Sequence, residues 1–200
     1  ENKGIYQAME YLPWGNKQGL GLLDGNPPIN ASGKNVVILG GGDTGADCLG
    51  TAIRQGATSV TQLEIMPRPT EERPSGQPWP TYPMIYRVSS AHEELDNRIF
   101  SVSTESFVGD GNGNLRAIKI VETKFVNGKF EKVPGTEREL PADLVFLAMG
   151  FTGPEKSDLI AQLEVELDDR GNIKRNSDFE STEKGIFIAG DAGQIGRAHV

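Results

Sequence analysis

Cysteine, histidine and long apolar runs are scarce in this sequence of 200 residues, which contains one cysteine, Cys48, and two histidines. A single cysteine excludes an internal disulfide bond and a metal site built from cysteines, and it fits a reducing compartment. No stretch reaches the roughly 18 consecutive apolar residues of a membrane span. The first residues lack a basic segment followed by an apolar one, so no signal peptide is expected and a cytoplasmic location is predicted.

Positive charge is also in short supply, since 20 lysines and arginines face 28 acidic residues for a net charge of -8. This balance argues against nucleic acid and anionic membrane as partners. It does not exclude a dinucleotide, because one local pocket can carry the opposite sign. The hydrophobic content of 36% and the charged content of 24% are typical of a globular protein with one domain and perhaps pieces of a second.

A glycine-rich turn stands between a predicted buried strand, Val36 to Leu39, and a helix predicted over residues 46–55. A second strand is predicted over residues 60–65. The turn consists of Gly40, Gly41, Gly42, Asp43, Thr44 and Gly45. It satisfies G-x-G-x-x-G in the strand–turn–helix context that dinucleotide binding requires: one glycine for the tight turn, one for the approach of the pyrophosphate and one for close helix packing. These residues are predicted to bind a dinucleotide at the helix N-terminus.

The end of the second strand and the loop that follows it give conflicting indications for the choice between NADH and NADPH. Glu64 has the spacing of an acid that binds a ribose 2′-OH, which favours NADH. Arg68 and Arg73 follow on a proline-rich loop, where arginines bind a 2′-phosphate, which favours NADPH. The loop from Thr70 to Arg87 is rich in aromatic residues and prolines. It is interpreted as a surface loop, a partner surface or a flap over the dinucleotide.

Two further segments follow this loop. A short helix begins near Ser90, with His92 predicted on its surface, and an antiparallel β-meander is predicted from Phe100 to Val133. Apolar strands are predicted over residues 144–150 and 185–191, with a helix over 156–165 between them. The last strand ends in Gly190 and Asp191, and the aspartate is interpreted either as a ligand-binding residue at a sheet edge or as a turn residue.

Several motifs together resemble the two-dinucleotide-binding flavoproteins. They are Gly40 to Gly45, Ala148-Met149-Gly150 and Ala189-Gly190-Asp191. The stretches Leu63 to Pro69, Pro78-Trp79-Pro80 and Ser89 to Glu94 are more specific and resemble the small (beta) subunits of glutamate synthases. The resemblance implies an α/β fold: a Rossmann-like parallel sheet with an antiparallel β-meander, in which an NAD(P)-binding domain (34–150) is inserted in a partial FAD-domain frame. Residues 1–33 would be a connector and FAD-domain segment, and 151–200 the return segment. Within the first of these, apolar residues at helical spacing predict a helix up to Leu12, and the stretch from Pro13 to Gly33, rich in glycine, proline and asparagine, is predicted to be extended.

The resemblance also implies a function. NADPH or NADH would bind this domain and reduce FAD, and the electrons would pass through iron–sulfur clusters to a large subunit that forms glutamate from glutamine and 2-oxoglutarate. Ala148, Met149 and Gly150 would line the cofactor cleft, and Gly190 and Asp191 would belong to an FAD motif. No side chain is assigned as an acid, base or nucleophile, because the cofactors carry the chemistry.

The sequence departs from this family in three places. A first glycine fingerprint for FAD and the cysteine-rich cluster-binding region are absent, and the residues after Asp191 diverge. A fragment with a truncated or foreign tail, inactive in isolation, is therefore expected. Two alternatives stay open: a non-catalytic docking module, and an NADPH-dependent flavin reductase that feeds another iron–sulfur enzyme.

Overall fold

A computed structural model describes residues 3–80, 83–150, 153–156 and 158–193, without the side chain of Asp191. The chain divides into two compact units, the first ending at Met149 and the second beginning at Gly150. The elements of the first unit are β1 (Ile5–Gln7), α1 (Ala8–Gly19), β2 (Asn35–Leu39), α2 (Asp43–Arg54), β3 (Ser59–Glu64), α3 (Ser90–Glu94), β4 (Arg98–Phe100), β5 (Val102–Gly109), β6 (Leu115–Val126), β7 (Lys129–Lys132), β8 (Arg138–Pro141) and β9 (Leu144–Leu147). The second unit contains α4 (Asp158–Leu163) and a 3-10 turn (Gly190–Ala192). In the described part of the chain, every helix is too short or too polar to cross a bilayer.

A five-stranded parallel sheet in the order β1-β9-β2-β3-β4 forms the centre of the first unit. Its middle strand, β2, is buried on both faces, as expected for a parallel strand covered on both sides. Val36 and Ile38 pack with the residues of α1 and α2, whereas Val37 and Leu39 pack with the antiparallel strands. The carboxyl ends of β2, β3 and β9 therefore meet at one edge, between a helical layer and a β layer.

The second layer is an antiparallel sheet in which β6 pairs with β5, β7 and β8. The hairpin turns lie at the predicted Asn-Gly positions, since Gly113 and Gly128 both have positive φ angles of 88° and 80°. Both the Rossmann-like parallel sheet and the antiparallel meander are thus confirmed. The strand β8, which completes the meander beyond Val133, was not predicted.

The N-terminal segment contains the predicted helix, but that helix begins later and extends further than expected. β1 pairs in parallel with β9, and α1 continues through Pro13 to Gly19, where an extended chain was expected. The reason is tertiary packing: Tyr11 is fully buried and stacks on Phe146 at 3.9 Å between ring centroids. Its hydroxyl also donates to Gln55 Oε1 at 2.8 Å, which ties α1 to the end of α2. The segment is therefore part of the first unit's core.

Two strand predictions were wrong. Phe100 ends the parallel strand β4, and Ser101, with a φ of 56°, separates it from the antiparallel strand β5. The apolar run 185–191 forms no strand among the described residues: Phe187 makes a single bridge with Glu180, and Gly190–Ala192 is a 3-10 turn. Phe187 remains 65% exposed, whereas Ile188 is buried against Val165 and Ile173, so this run packs on one side only.

Candidate functional site

The glycine turn joins β2 to α2, and two of its glycines are required by internal packing. Gly40 has a φ of 121°, and a Cβ on it would overlap the carbonyl of Ala148 at the end of β9. A Cβ on Gly45 would overlap the Gly40 carbonyl and the Gln62 side-chain amide. The turn therefore closes tightly on β9 and on the first turn of α2, as the first and third positions of the fingerprint require.

Gly41 lies against a buried acid. A Cβ on Gly41 would overlap the carboxylate of Glu64, which stands at the end of β3 and is only 7% exposed. Glu64 Oε1 also accepts the backbone N–H of Met66 at 3.0 Å. The carboxylate thus braces the turn and the start of the following loop, in addition to the ribose-binding role predicted for it.

Gly42 differs from Gly40, Gly41 and Gly45, because no contact with the described residues requires a glycine at this position. In the part of the chain that the structure describes, a Cβ there would have no heavy atom within 4 Å, and its φ of -82° and ψ of -174° are open to any residue. Gly42 is the N-cap of α2, which begins at Asp43, three residues earlier than predicted. Among the described residues, the backbone N–H groups of Gly41 and Gly42 donate to no acceptor. The turn therefore presents free donors at the positive end of a helix, an arrangement suited to an anion.

A cavity of about 570 Å³ lies directly in front of this turn. Gly41, Gly42, Asp43 and Ala46 form one wall, with Glu64 beside them, and the loop after β3 forms the other. That loop is held in place by hydrogen bonds from Tyr86 N to Thr70 O at 2.7 Å and from Met84 N to Gln77 Oε1 at 2.6 Å. The volume is in the range of ligand pockets in proteins. The proline-rich loop is therefore a wall of the cavity, while its Trp79 is 82% exposed.

The far end of the cavity is cationic and aromatic. Arg68 lies over the Tyr86 ring at 4.1 Å, keeps 55% of its side chain exposed and makes one long ion pair with Glu71 at 3.4 Å. Arg98 also contacts this ring, at 4.4 Å, and is bound through two nitrogens to the carboxylate of Asp96 at 2.7 Å. The Tyr86 hydroxyl donates to Asp96 at 2.6 Å. These bonds, chiefly those from Arg98, hold the pKa of Asp96 well below its usual range.

Arg98 was not predicted as a cavity residue, and Tyr86 was predicted only as part of the loop that was interpreted as a surface loop, a partner surface or a flap over the dinucleotide. Arg98 lies in β4, an edge strand of the parallel sheet, rather than beside the fingerprint, and only the parallel pairing of β4 with β3 brings it to the cavity. Arg73, in contrast, is absent from the cavity lining, and its Nη1 donates to the Gln77 carbonyl at 2.9 Å within the loop. Thr44 lies in the first turn of α2 without lining the cavity.

The remaining predicted residues follow β9. Ala148 donates its N–H to Leu39 O at 2.8 Å, and its carbonyl lies against Gly40, so it belongs to the turn. Met149 is 47% exposed and lines a second cavity of about 400 Å³, together with Gly40, Glu64 and residues of β5. Gly150, Gly190 and Asp191 lie in the second unit, where Gly150 and Gly190 have positive φ angles of 87° and 62°.

His92 is a buried residue, not the surface histidine that was predicted. The N-cap of α3 is Ser89 rather than Ser90, which turns His92 inward. Its Nδ1 accepts the Ser89 backbone N–H at 3.3 Å, and its Nε2 lies 2.8 Å from Gln62 Oε1. Gln62 in turn donates from Nε2 to the Gly40 carbonyl at 2.7 Å. Burial, assisted by the positive charge of Arg98, lowers the pKa of His92.

A comparison with protein families gives a match to the pyridine nucleotide-disulphide oxidoreductase model over residues 17–200. The chain belongs to the pyridine nucleotide-disulphide oxidoreductase family. The structure agrees at the level of fold: a T. acidophilum thioredoxin reductase of this architecture aligns with a TM-score of 0.57 and 22% identity, over 99% of this chain and 56% of that one.

The curated relatives of this chain confirm the more specific resemblance. The glutamate synthase (NADPH) small chain of Mycobacterium tuberculosis is 55% identical over 198 residues, which are 97% of this chain and 40% of the relative. The glutamate synthase (NADH) of Schizosaccharomyces pombe is 43% identical over 96% of this chain and 10% of the relative. The chain therefore spans at most about two fifths of the length of these two curated relatives.

Proposed function

We propose that the chain is the NAD(P)H-binding, electron-input part of a glutamate synthase small subunit. The observation that carries this proposal is the glycine turn, in which Gly40, Gly41 and Gly45 are fixed by internal contacts and Gly42 alone has open space where its side chain would stand. A glycine that the fold does not need is explained if a ligand approaches the backbone there. The relatives of the chain support the choice of a glutamate synthase.

The residues in front of the turn fit the pyrophosphate and adenosine parts of a dinucleotide. The N–H groups of Gly41 and Gly42, together with the N-terminal end of α2, would bind the pyrophosphate. The cavity then leads away from the turn towards Met66, Arg68 and Tyr86, and its aromatic and methionine side chains suit an adenosine. The predicted site residues Asp43 and Thr44 would act through the backbone of the first helical turn.

We further propose that NADPH is the preferred dinucleotide. Three arginines line the cavity: Arg68, Arg87 and Arg98. The carboxylates in the lining are those of Asp43 and Glu64, which lie near the turn. Arg68 is the arginine placed for a 2′-phosphate, because it is half exposed and its one ion pair is long. Glu64 already accepts the Met66 N–H and supports Gly41, so its main role is in the shape of the turn.

The chemistry supplied by the bound dinucleotide is hydride donation, in the whole protein to FAD. The chain's own residues bind and orient the donor, and Ala148 and Met149 would flank its path beyond Gly40. In the whole protein, Gly190 and Asp191 would contribute to the FAD site, and a large subunit would receive the electrons for the synthesis of glutamate. The roles in the FAD site and towards a large subunit are inferred from the relatives, and this chain spans about two fifths or less of their length.

A calorimetric titration of the chain with NADPH and with NADH tests the proposal. Tighter binding of NADPH is expected, and Arg68→Ala should reduce that preference, because one charge-assisted hydrogen bond contributes about 1.5–3 kcal/mol. Glu71→Ala is the matched control: it removes the ion-pair partner of Arg68 without removing the guanidinium. Absence of binding of either dinucleotide at millimolar concentration would refute the proposal and favour a docking module, for which the exposed Trp79 would be the first residue to test.

A further inference from the structure

Arg68 is held at the cavity by very few contacts. In the described part of the chain its guanidinium has two partners: Glu71, in an ion pair of 3.4 Å, and the Tyr86 ring, whose centroid lies 4.1 Å from the guanidinium carbon. Both side chains of the ion pair are more than half exposed, and exposed pairs of this kind contribute little to holding a long side chain in one place. The ring is therefore the contact that orients Arg68.

The contact with the ring leaves most N–H groups of Arg68 available. An aromatic face attracts a cation through its π electrons and has no hydrogen-bond acceptor of its own. A guanidinium carries five N–H donors in a planar fork, and in Arg68 only Nη2 has an acceptor among the described residues, at the long distance to Glu71. The ring can thus fix the position of the charge while the fork remains open for a phosphate.

Tyr86 is itself fixed at both of its ends. Its backbone N–H donates to Thr70 O at 2.7 Å within the loop, and its hydroxyl donates to Asp96 Oδ2 at 2.6 Å. The same hydroxyl accepts from Arg98 Nη2. The bond to Asp96 raises the pKa of Tyr86, so the hydroxyl keeps the proton that it donates. The ring is therefore a platform that joins the proline-rich loop to the residues at the start of β4.

Arg98 contacts the same ring but is less suited than Arg68 to bind a phosphate. Only 7% of its side chain is exposed, and its Nε and Nη2 both donate to Asp96 at 2.7 Å. Its Nη1 donates to the Arg87 carbonyl at 2.8 Å, so each of its three guanidinium nitrogens already has an acceptor. Of the two arginines on this ring, Arg68 is thus the one that can reach a ligand.

We propose that Tyr86 is a positioning residue for the selection of NADPH, whose ring holds the Arg68 guanidinium in the place where it binds the 2′-phosphate. This inference rests on the proposed function of the cavity and on the role proposed there for Arg68. The ring acts through the arginine, so its effect on selection requires both the guanidinium and the 2′-phosphate.

A double-mutant cycle with Arg68→Ala and Tyr86→Leu tests this role, with the ratio of NADPH to NADH affinity measured by calorimetric titration of the full chain. Tyr86→Leu should lower the ratio about three- to tenfold, the range expected for a cation held by an aromatic ring. A general loosening of the cavity weakens the binding of both dinucleotides and cancels in the ratio. The double variant should show the same ratio as Arg68→Ala alone, since without the arginine the ring has nothing to position.

Tyr86→Phe separates the ring from its hydroxyl. It keeps the aromatic face and the backbone bond to Thr70, so it should retain at least half of the wild-type ratio although it lowers stability. A ratio that falls as far in Tyr86→Phe as in Tyr86→Leu would overturn the role of the ring. Phe125→Leu is the matched control: it removes a 55% exposed ring of β6 that lies outside the cavity lining, and it should leave the ratio unchanged.

A measurement on the wild type decides the question if Tyr86→Leu does not fold. In the complex with NADP⁺, nuclear Overhauser contacts between the Arg68 side chain and the Tyr86 ring should persist. Their loss on saturation with NADP⁺ would show that the ligand draws the arginine away from the ring, and would overturn the proposal.

The possible failures can be told apart. A wild type that binds neither dinucleotide would overturn the proposed function and this inference together. Equal binding of NADPH and NADH, or a preference for NADH, would overturn the selection of NADPH and with it this inference, but not the dinucleotide site. A wild type that prefers NADPH, with an unchanged ratio in Tyr86→Leu or with losses that add in the double variant, would overturn the positioning role alone.

Discussion

The substitutions Gly42→Ala and Gly45→Ala should separate binding from stability within one turn. A methyl group at position 42 meets none of the described residues within 4 Å, and the φ of -82° suits alanine, so the fold loses little. The small cost of alanine in place of glycine at an N-cap is offset by about 0.4–1 kcal/mol from the less flexible unfolded chain. Thermal unfolding of Gly42→Ala should therefore resemble that of the wild type.

Binding should respond in the opposite way. The added methyl group occupies the space through which a pyrophosphate would approach the Gly41 and Gly42 N–H groups, and overpacking at such a contact costs about 1–3 kcal/mol. This is a rise in Kd of about five- to 150-fold. In Gly45→Ala, the added methyl group would overlap the Gly40 carbonyl and the Gln62 amide, so it should lower the free energy of unfolding by about 1–3 kcal/mol. The better helix propensity of alanine should offset about 1 kcal/mol of this loss.

Calorimetric titration with NADPH and thermal unfolding would be measured on both variants and on Gly19→Ala. Gly19 ends α1 with open space around its Cβ position and serves as the matched control, which should leave the affinity unchanged and raise the free energy of unfolding by at most about 1 kcal/mol. Wild-type affinity in Gly42→Ala would refute the argument that the turn is open for a ligand.

Three further outcomes are expected. Tyr86→Phe removes the hydroxyl that donates to Asp96 at 2.6 Å, and should lower the free energy of unfolding by about 1–2 kcal/mol in urea titrations, with Tyr6→Phe as a comparison. The depressed pKa of Asp96 stabilises the fold above the unfolded-state value of 3.8, so this contribution should be lost as the pH falls below that value; Asp96→Asn should flatten the acid limb of the stability curve. Burial raises the pKa of the Cys48 thiol to about 12, so it should react with a thiol reagent at mildly alkaline pH only after denaturation; fast reaction in the native state would contradict its burial.

Local sequence patterns were sufficient where the structure is local. The strand β2, the glycine turn, α2 and β3 follow one another within a single βαβ unit, and each carries its own signal of β-branched residues, glycines or helical spacing. The hairpins of the meander were predictable for the same reason, since Gly113 and Gly128 mark their turns. The requirement for glycine at positions 40 and 45 follows from the fingerprint, and the structure shows which atoms a side chain at each position would overlap.

Other features depended on distant partners and could not be predicted from a window of sequence. Pro13 indicated a break, but the burial of Tyr11 against Phe146 keeps α1 helical past it. Arg98 enters the cavity only because β4 is parallel to β3. His92 looked like a surface residue because its partner, Gln62, lies 30 positions earlier in the chain. In the run 185–191, apolar composition indicated a strand, but only one face of the run finds packing partners.

The most direct test of the central claim is an amide NMR titration of the chain with NADP⁺. The largest shifts are expected at Gly41, Gly42 and Asp43, with smaller shifts along the cavity at Arg68 and none at Gly128, a hairpin turn outside the cavity lining. Shifts confined to other surfaces, with the turn unaffected at saturating ligand, would contradict the assignment of the glycine turn as the dinucleotide site.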